Sequence, residues 1–361
     1  MNIKFIFTEA MQHLQTRDFV KAASGFSSIT RGDPTNFPAW INLAIALRGN
    51  NDLNGSLQAY ERAELLDPNL PALWYNKGNL CIDMGRMHEA AHCFLRAITL
   101  APTYEAAHTN LGVVLSQLTT SKMDVEDLIA SWEKLSGDNP LKKHYIAALR
   151  GNDSGSTARE FVERHFDNFA ETFDERLSAL NYQTPQLMSQ LIGTLQPMKG
   201  VTLDAGCGTG LCGPMLRPLS SQLIGVDLSG EMLKKAASRG IYDALVRRDI
   251  IDFLTDRAFR NEQFDLIVAA DVLIYFADLS NIFASVRQAM SRGGIFVFSV
   301  EKNENEHSFV INSSARYRHG ERYVSTTATE AGFRIDVVRH EIARMEFGKP
   351  EHSLLFAFTA C

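Results

Sequence analysis

Small and hydrophobic residues in the first 150 positions recur with a period of 34 residues. Three sets of positions share this period: the prolines Pro34, Pro68 and Pro102, the small residues Ala10, Ala44, Gly78 and Gly112, and the aromatic residues Phe26, Tyr60 and Phe94. Each period contains two amphipathic helical patterns and ends at the proline. This repetition predicts about four stacked helix pairs over residues 1–150, with aromatic side chains filling the space between neighbouring repeats.

After residue 200 the pattern changes to short apolar runs separated by helical stretches. The runs cover residues 201–205, 223–227, 264–270, 294–300, 333–338 and 353–359. Such alternation predicts a mostly parallel, doubly wound sheet of up to seven strands. The chain is therefore predicted to join an all-α solenoid to an α/β domain.

The segment between these two patterns predicts the domain boundary. Residues 151–158 are polar and rich in glycine and serine, which is typical of a flexible connector. We therefore predict a helical domain over residues 1–150 and an α/β domain over residues 201–361. Residues 159–200 have a helical pattern with an aromatic residue about every four positions, and we predict that they form lid or cap helices of the second domain.

Charge and cysteine content restrict the classes of partner. The formal net charge is -6, which disfavours a nucleic-acid partner, because phosphate backbones usually bind basic faces. The five cysteines form no C-x-x-C pair, and the chain shows neither a secretory signal core nor an apolar stretch of membrane-spanning length. We therefore expect a cytoplasmic protein without a membrane partner.

One segment of the repeats matches a metal-binding pattern. His88-Glu-Ala-Ala-His92 has the H-E-x-x-H form of zinc proteases. However, Ala90 and Phe94 occupy core positions of the repeat, and no further histidine follows at the metzincin spacing. We therefore expect no metal site in this chain.

A glycine-rich segment follows the first apolar run and precedes a helical pattern. Its sequence is Asp204-Ala-Gly206-Cys207-Gly208-Thr-Gly210. The glycines allow a tight turn and let a nucleotide-like ligand approach the backbone. Gly208, Gly210 and Gly213 also satisfy G-x-G-x-x-G, and Asp227 follows about 20 residues later, as in NAD-binding proteins. A carboxylate at Asp204 would oppose a pyrophosphate but attract the ammonium group of S-adenosylmethionine, which favours the latter cofactor.

Longer blocks of sequence resemble one enzyme family. VTLDAGCGTGLCG, LIGVDLSGEML and FDLIVAADVLIYFADL, in this order, resemble class I S-adenosylmethionine-dependent methyltransferases, and the 34-residue units resemble tetratricopeptide (TPR) repeats. HFDNFAETFDERLSALNYQTPQLM, ARYRHG and RMEFGKP resemble predicted bacterial methyltransferases with such repeats, which are more distantly similar to trans-aconitate and malonyl-carrier-protein methyltransferases. The resemblance implies a Rossmann-like, seven-stranded class I domain, S-adenosylmethionine as methyl donor and S-adenosylhomocysteine as product.

The same resemblance implies roles for individual residues. Asp227 would bind both ribose hydroxyls and Asp249 the adenine amino group, while Leu228, Met232 and Ile250 would pack near the base. Core packing explains Met232 and Ile250 equally well, and a helix cap is the alternative for Asp227. The other predicted cofactor-binding residues are Asp204, Gly206, Cys207, Gly208, Gly210, Asp271 and the lid residues Phe166 and Tyr182.

The chemistry of the methyl acceptor determines whether a base is needed. A carboxylate attacks as it stands, whereas a phenol or an ammonium group must first lose a proton. The candidate bases are Glu301, His165 and His319, followed by His307. The candidate substrate-binding residues are Arg316, Arg344 and Tyr275. Guanidinium groups suit an acidic acceptor, and the alternative is that both arginines are solvated or pair with Glu321 and Glu346.

These observations favour an enzyme that methylates a protein, a carrier-bound group or a small acidic molecule. The TPR groove is expected to bind a protein or peptide that brings the substrate. One alternative is an interaction protein whose methyltransferase domain senses the cofactor or is inactive. Another is an NAD-dependent oxidoreductase, and measurement of cofactor binding separates these classes.

Overall fold

The computed structural model describes residues 3–135, 137–152, 158–256, 263–346 and 348–361. The chain divides into two compact units, Met1–Lys142 and Lys143–Cys361. Each unit contains a hydrophobic core made of its own residues. Most of the predicted linker, residues 153–157, lies outside the described residues.

The first unit is helical throughout its described length. Its helices are α1 (Ile3–Gln15), α2 (Phe19–Gly32), α3 (Phe37–Gly49), α4 (Leu53–Leu66), α5 (Pro71–Asp83), α6 (Met87–Leu100), α7 (Glu105–Thr120) and α8 (Glu126–Lys134), followed by α9 (Pro140–Leu149), which continues into the second unit. Helices α1 and α2, α3 and α4, and α5 and α6 pack on one another in pairs, as the 34-residue period predicts.

A repeated hydrogen bond joins the second, third and fourth helix pairs to the prolines that precede them. Trp40 Nε1 donates to the Pro34 carbonyl at 2.9 Å, and Trp74 Nε1 donates to the Pro68 carbonyl at 2.7 Å. In the next repeat His108 replaces tryptophan, and its Nε2 lies 2.9 Å from the carbonyl oxygen of Pro102. Because the Trp132 indole N–H donates to His108 Nδ1 at 3.0 Å, Nε2 carries the histidine proton and donates the equivalent bond.

The periodic small and aromatic residues form the core of this unit. Phe26, Tyr60 and Phe94 are fully buried. A Cβ atom added at Gly78 would lie 2.7 Å from the ring of Phe94, so the glycine is needed for the close approach of α5 and α6. His88 and His92 are exposed on α6, and no described group of three or more His, Cys, Asp or Glu residues is arranged to hold a metal ion.

The second unit contains helices and strands in alternation. Its further helices are α10 (Ala158–Phe169), α11 (Phe173–Ala179), α12 (Thr184–Leu195), α13 (Gly213–Leu216), α14 (Gly230–Ser238), α15 (Ile250–Thr255), α16 (Ser280–Ala289) and α17 (Glu321–Glu330). Its strands are β1 (Gly200–Ala205), β2 (Ser220–Asp227), β3 (Ala244–Arg247), β4 (Phe264–Ala269), β5 (Met290–Lys302), β6 (Phe309–Ile311), β7 (Tyr317–His319), β8 (Phe333–Glu346) and β9 (Lys349–Ala360).

The strands form one mixed sheet. Strands β3, β2, β1, β4 and β5 are neighbours in that order and run parallel. Strand β9 pairs antiparallel with β5 and with β8, and the short hairpin β6–β7 joins the end of β5 at Glu301 and Lys302. The described residues thus form nine strands rather than the predicted seven. Strands β3, β6 and β7 matched none of the predicted apolar runs, because strands of three or four residues are too short to produce a recognisable sequence pattern.

Helices α10 and α11 are bonded to the carboxyl ends of the first strands. Asp167 on α10 accepts a hydrogen bond from the Ser229 hydroxyl at 2.5 Å. Asp174 on α11 accepts one from the Thr209 hydroxyl at 2.6 Å and one from Arg239 Nη2 at 2.7 Å. These bonds hold the predicted lid helices against the glycine-rich loop. Within the described part of the chain, no helix combines the length and the apolar character that a membrane span requires.

Candidate functional site

The glycine-rich loop after β1 adopts a conformation that favours glycine. Gly206, Gly208 and Gly210 have φ values of 71°, 53° and 85°, in the left-handed region where other residues are strained. A Cβ atom at Gly206 would lie 2.4 Å from the side chain of Val272. At Gly208 the same atom would have no described atom within 4 Å apart from its chain neighbours, so the loop backbone is open on that side and leaves room for a ligand.

Asp227, at the end of β2, holds this loop through its carboxylate. Its Oδ2 accepts from the Gly208 backbone N–H at 2.8 Å, and its Oδ1 accepts from the Ser229 N–H at 2.8 Å. Burial raises the pKa of this carboxyl, and the two backbone bonds oppose that rise. Each carboxylate oxygen retains a further lone pair. The structure therefore brings Asp227 and the glycine loop together, with acceptor capacity left for hydroxyl groups.

The residues predicted to surround an adenine base lie near the next strand end. Asp249 caps α15 by accepting from the Ile251 N–H at 2.9 Å and the Asp252 N–H at 3.2 Å, both through Oδ1. Leu228 is half-buried, whereas Met232 and Ile250 are 1% and 8% exposed. Core packing is therefore a sufficient explanation for the last two residues.

Asp204 is buried beneath the glycine loop. It is 1% exposed, and its Oδ2 accepts a hydrogen bond from the Tyr242 hydroxyl at 2.6 Å. Burial raises the pKa of Asp204 to about 7, while the bond from Tyr242 lowers it and the charge of Asp227 raises it. The neighbouring Cys207 is buried as well. Tyr242 belongs to none of the recognised motifs, and no sequence signal connects it to Asp204.

Asp271, directly after β4, lies in a polar cluster with an unusual backbone. Its φ of 53° is in the left-handed region although it is not a glycine. The Ser299 hydroxyl donates to its Oδ1 at 2.6 Å, and Arg344 Nη1 and the Thr184 hydroxyl donate to its Oδ2 at 3.0 and 3.3 Å. Tyr182 packs nearby, and burial raises the pKa of its phenol. A strained, fully bonded residue at a strand end is typical of a functional site.

Glu301 has surroundings that do not suit the predicted role of a base. It is fully buried, and its carboxylate accepts bonds from Arg316, Arg344 and Asn312. Burial favours the neutral acid, but the charges of the arginines outweigh it and lower the pKa of Glu301 to about 2. A carboxylate held this firmly in its ionised form does not take a proton at neutral pH.

The two arginines predicted to bind substrate are paired internally. Arg344 is 6% exposed, and its three nitrogens donate to Glu301, Asp271 and Glu346. Arg316 donates to Glu301 and to Glu346. Of the two glutamates in the alternative prediction, Glu346 is a partner of both arginines, whereas Glu321 lies 2.8 Å from His340 Nε2. Each nitrogen of Arg344 therefore already has an internal acceptor.

Aromatic rings surround His165 on α10. The ring centroids of Phe161, Phe166 and Phe169 lie 5.2, 5.3 and 4.6 Å from that of His165, and the Tyr145 hydroxyl lies 3.2 Å from His165 Nδ1. Burial and the nearby arginines lower the pKa of His165 to about 3. The ring is therefore neutral and weakly basic.

Tyr275 connects the aromatic rings of α10 to the arginine cluster. Its ring packs edge-on against Phe166 at 5.5 Å, and burial raises the pKa of its phenol to about 12. The positive charges of Arg316 and Arg344 oppose this rise in pKa. The structure thus brings the predicted lid residue Phe166 and the predicted substrate residue Tyr275 into contact.

His319, the third candidate base, lies in the interior of the unit. It is fully buried on β7, its Nε2 is 3.1 Å from the Ala277 carbonyl oxygen, and its ring stacks on Tyr323 at 5.9 Å. Burial lowers its pKa to about 4. These contacts give His319 a packing role and leave it inaccessible to an acceptor.

Two families match parts of this sequence. Residues 203–298 match the methyltransferase domain family, and residues 71–104 match the tetratricopeptide repeat family. The first match spans β1 to β5 and contains the glycine loop, Asp227, Asp249 and Asp271. The chain therefore carries a methyltransferase domain and a tetratricopeptide repeat.

Individual proteins are similar to parts of this chain. A malonyl-[acyl-carrier protein] O-methyltransferase of Hamiltonella defensa is 28% identical over 144 residues, which are 40% of this chain and 53% of that protein. Nodulation protein S of Bradyrhizobium diazoefficiens is 36% identical over 92 residues, which are 25% of this chain and 42% of that protein. This chain thus spans about half the length of each of these curated relatives.

Solved structures also align with this chain. The N-methyltransferase NodS of Bradyrhizobium japonicum, in complex with S-adenosyl-L-homocysteine, aligns with a TM-score of 0.44 and 20% identity, over 56% of this chain and 98% of NodS. A methyltransferase of Clostridium acetobutylicum described as S-adenosylmethionine-dependent aligns with a TM-score of 0.41 and 19% identity, over 54% of this chain and 98% of that one.

Proposed function

We propose that this chain, which carries a methyltransferase domain over residues 203–298 and a tetratricopeptide repeat over residues 71–104, is an S-adenosylmethionine-dependent methyltransferase. The observation that carries the proposal is the junction of the glycine loop with Asp227. The Gly208 N–H donates to the Asp227 carboxylate at 2.8 Å, beside a side of the loop where an added Cβ atom would have no described atom within 4 Å, its chain neighbours apart. At this junction a carboxylate that can accept further hydrogen bonds lies next to loop backbone that a ligand can reach.

The described residues fit an adenosyl cofactor. Asp227 would bind the ribose hydroxyls through its remaining lone pairs. Asp249 uses Oδ1 to cap α15, so its Oδ2 would accept from the adenine amino group. Leu228 would pack on the base, and Gly206, Gly208 and Gly210 would allow the loop backbone to contact the ligand. Met232, Ile250 and Cys207 are buried, which supports a packing role behind the cofactor site.

The loop fits a dinucleotide less well. NAD-binding folds place the pyrophosphate at the N-terminus of the helix that follows the glycine loop, where the helix dipole favours negative charge. The corresponding helix here, α13, has four residues. A helix of one turn has a weak dipole, and the buried Asp204 adds negative charge beneath the same loop. Both features support S-adenosylmethionine over NAD.

Bound S-adenosylmethionine would supply an electrophilic methyl group, which an acceptor takes by in-line displacement. The contribution of this chain would be alignment and exclusion of water. Phe166 on α10 and Tyr275 after β4 contact each other and would cover the reacting atoms. The bonds from Asp167 to Ser229 and from Asp174 to Thr209 would hold α10 and α11 in this covering position.

We propose a carboxylate as the acceptor. Glu301 is locked as an ionised carboxylate, the half-buried His165 and the fully buried His319 have low pKa values, and His307 is exposed to solvent, so none of these four groups is placed to deprotonate a phenol or an ammonium group in a closed site. A carboxylate needs no base. The acceptor would be a protein, a carrier-bound group or a small acid, and the repeats would bind the protein that brings it.

Cofactor binding tests the proposal directly. Calorimetric titration of the full chain should detect S-adenosylmethionine and S-adenosylhomocysteine but not NAD. Asp227→Ala should weaken adenosyl binding by roughly 10- to 100-fold, because hydrogen bonds to a charged group are lost. Asp265→Ala is the matched control, since Asp265 also accepts a backbone N–H, from Val201 at 2.9 Å, but at the amino ends of β1 and β4, away from the glycine loop. Selective NAD binding would overturn the proposal, and binding of none of the three would favour an interaction protein.

The acceptor class has its own chemical test. Cell extract incubated with the protein and methyl-labelled S-adenosylmethionine should yield a labelled product whose label is released as methanol by mild alkali. A methyl ester has this property, whereas methyl groups on nitrogen or on a phenol do not. Alkali-stable label would contradict the carboxylate assignment and leave the cofactor assignment intact.

A further inference from the structure

Tyr242 lies between α14 and β3, outside every motif that the sequence displays. Its hydroxyl donates to Asp204 Oδ2 at 2.6 Å. Asp204 is the penultimate residue of β1 and is 1% exposed. A bond of this length to a buried carboxylate is a strong, charge-assisted hydrogen bond. It joins the end of β1 to the segment that leads into β3.

The ring of Tyr242 fills the space that three glycines leave open. Cβ atoms added at Gly210 and Gly213 would lie 3.0 Å from the ring Cε2 and from the hydroxyl oxygen, respectively. A Cβ atom at Gly225 would lie 3.1 Å from ring Cδ1. The ring is therefore packed between β2 and the loop, and the glycine positions determine where its hydroxyl points.

The surroundings of Asp204 are unfavourable to its ionised form. Burial is the largest cause, and Asp227 at the end of β2 carries the same sign. The thiols of Cys207 in the glycine loop and Cys212 before α13 are buried nearby, and burial raises their pKa values, so they are neutral. Against these groups, the Tyr242 hydroxyl is the partner that stabilises the carboxylate. Burial raises the pKa of Asp204 to about 7, so its ionised and protonated forms have similar populations near neutral pH.

We propose that Tyr242 is a positioning residue of the cofactor site, which keeps Asp204 ionised so that its negative charge attracts the ammonium group of the methionine moiety. The charge acts through space, because Asp204 is buried and electrostatic attraction is strong in a low-dielectric interior. This inference rests on the proposed function and deepens it. It assigns the contribution of Tyr242 to the amino-acid end of the cofactor and not to adenosine.

The test compares two ligands that differ at that end. S-adenosylhomocysteine carries the ammonium group, and 5′-methylthioadenosine carries the adenosine and sulfur without it. Both are titrated calorimetrically into the full-length wild type and into Tyr242→Phe between pH 6 and pH 8.5. The wild type should bind S-adenosylhomocysteine more weakly as the pH falls below about 7, because Asp204 becomes protonated.

Tyr242→Phe should weaken S-adenosylhomocysteine binding about tenfold at pH 7, because it loses the bond that stabilises the carboxylate. Its binding midpoint should move to higher pH, and binding of 5′-methylthioadenosine should be unchanged. Asp204→Asn should bind S-adenosylhomocysteine weakly with no pH dependence in this range. Tyr323→Phe is the matched control: its hydroxyl also bonds to an aspartate, Asp278 at 2.9 Å, and its loss should leave both ligands unaffected.

Three results distinguish the inference from its premise. An unchanged pH profile for S-adenosylhomocysteine in Tyr242→Phe overturns the inference. Equal weakening of both ligands also overturns it, because the ring would then merely support the loop. Failure of wild-type protein to bind S-adenosylhomocysteine at any pH contradicts the proposed function itself.

Discussion

At the scale of single residues, burial has the largest effect on the chemistry of the titratable side chains. His319 is fully buried with a pKa of about 4, well below the value of about 6.5 that the unfolded chain would have. Below about pH 6.5 the unfolded chain binds a proton at this histidine, whereas the folded protein does so only as the pH approaches 4. Protons therefore favour the unfolded state in this range. The contribution of His319 to stability is lost as the pH falls from about 6.5 towards 4.

His319→Gln should reduce this dependence on pH. Between pH 7.5 and pH 5.0 the wild type should lose roughly 2 kcal/mol of unfolding free energy through this residue, and the variant should not. Glutamine keeps a donor for the Ala277 carbonyl, so packing changes little. Urea unfolding at both pH values measures the difference between wild type and variant.

His352→Gln serves as the control, because His352 is exposed. It should change the free energy of unfolding by a similar small amount at both pH values. If the difference between wild type and His319→Gln is the same at pH 7.5 and at pH 5.0, His319 is not held neutral by burial.

At the scale of secondary-structure elements, the spacing of helices depends on individual glycines. Gly78 on α5 faces the Phe94 ring on α6, where an added Cβ atom would lie 2.7 Å away. Gly32 on α2 has no such neighbour within 4 Å. Alanine has the higher helix propensity at both positions, so any difference between the two substitutions reports packing.

Gly78→Ala should lower the free energy of unfolding of the repeats by about 1–3 kcal/mol, because overpacking outweighs the gain in propensity. Gly32→Ala should be neutral or stabilising by up to about 1 kcal/mol. Denaturant unfolding followed by far-ultraviolet circular dichroism measures both. Equal stabilisation by the two substitutions would show that α5 and α6 are not in close contact at Gly78.

At the scale of the whole molecule, the two units have separate cores. Phe26 is fully buried in the first unit, and Phe283 is fully buried in the second. The residues of the candidate cofactor site all belong to the second unit. Loss of core packing in the first unit should therefore leave cofactor binding intact.

Phe26→Ala should destabilise the repeats by about 3–5 kcal/mol, as expected for a large cavity, and change the affinity for S-adenosylhomocysteine less than twofold. Phe283→Ala should destabilise the second unit by a similar amount. Because the cofactor site lies in that unit, cofactor binding should fall as the folded fraction falls. Thermal unfolding and calorimetric titration of both variants measure these effects. A large loss of affinity in Phe26→Ala would mean that the fold of the second unit depends on the first.

Local patterns were sufficient for much of the architecture. The 34-residue period specified the helix pairs, because each repeat places the same residue types in the same environment. The glycine loop and Asp227 were recognisable because a tight turn and a strand-end carboxylate need particular residues at a short, constant spacing. Strand β3 was missed, because its four residues include no fully buried side chain.

The arrangement of the site depended on contacts between distant parts of the chain. Glu301 was predicted to be a base, but residues 15 and 43 positions away provide the arginines that hold it ionised. The bond between Tyr242 and Asp204 joins positions 38 residues apart and has no sequence pattern. The sequence by itself determined the repeats, the sheet and the glycine loop, since these follow from periodicity and backbone conformation. Which groups are charged, paired or accessible was decided by the tertiary structure alone, because burial and electrostatic pairing depend on neighbours in space.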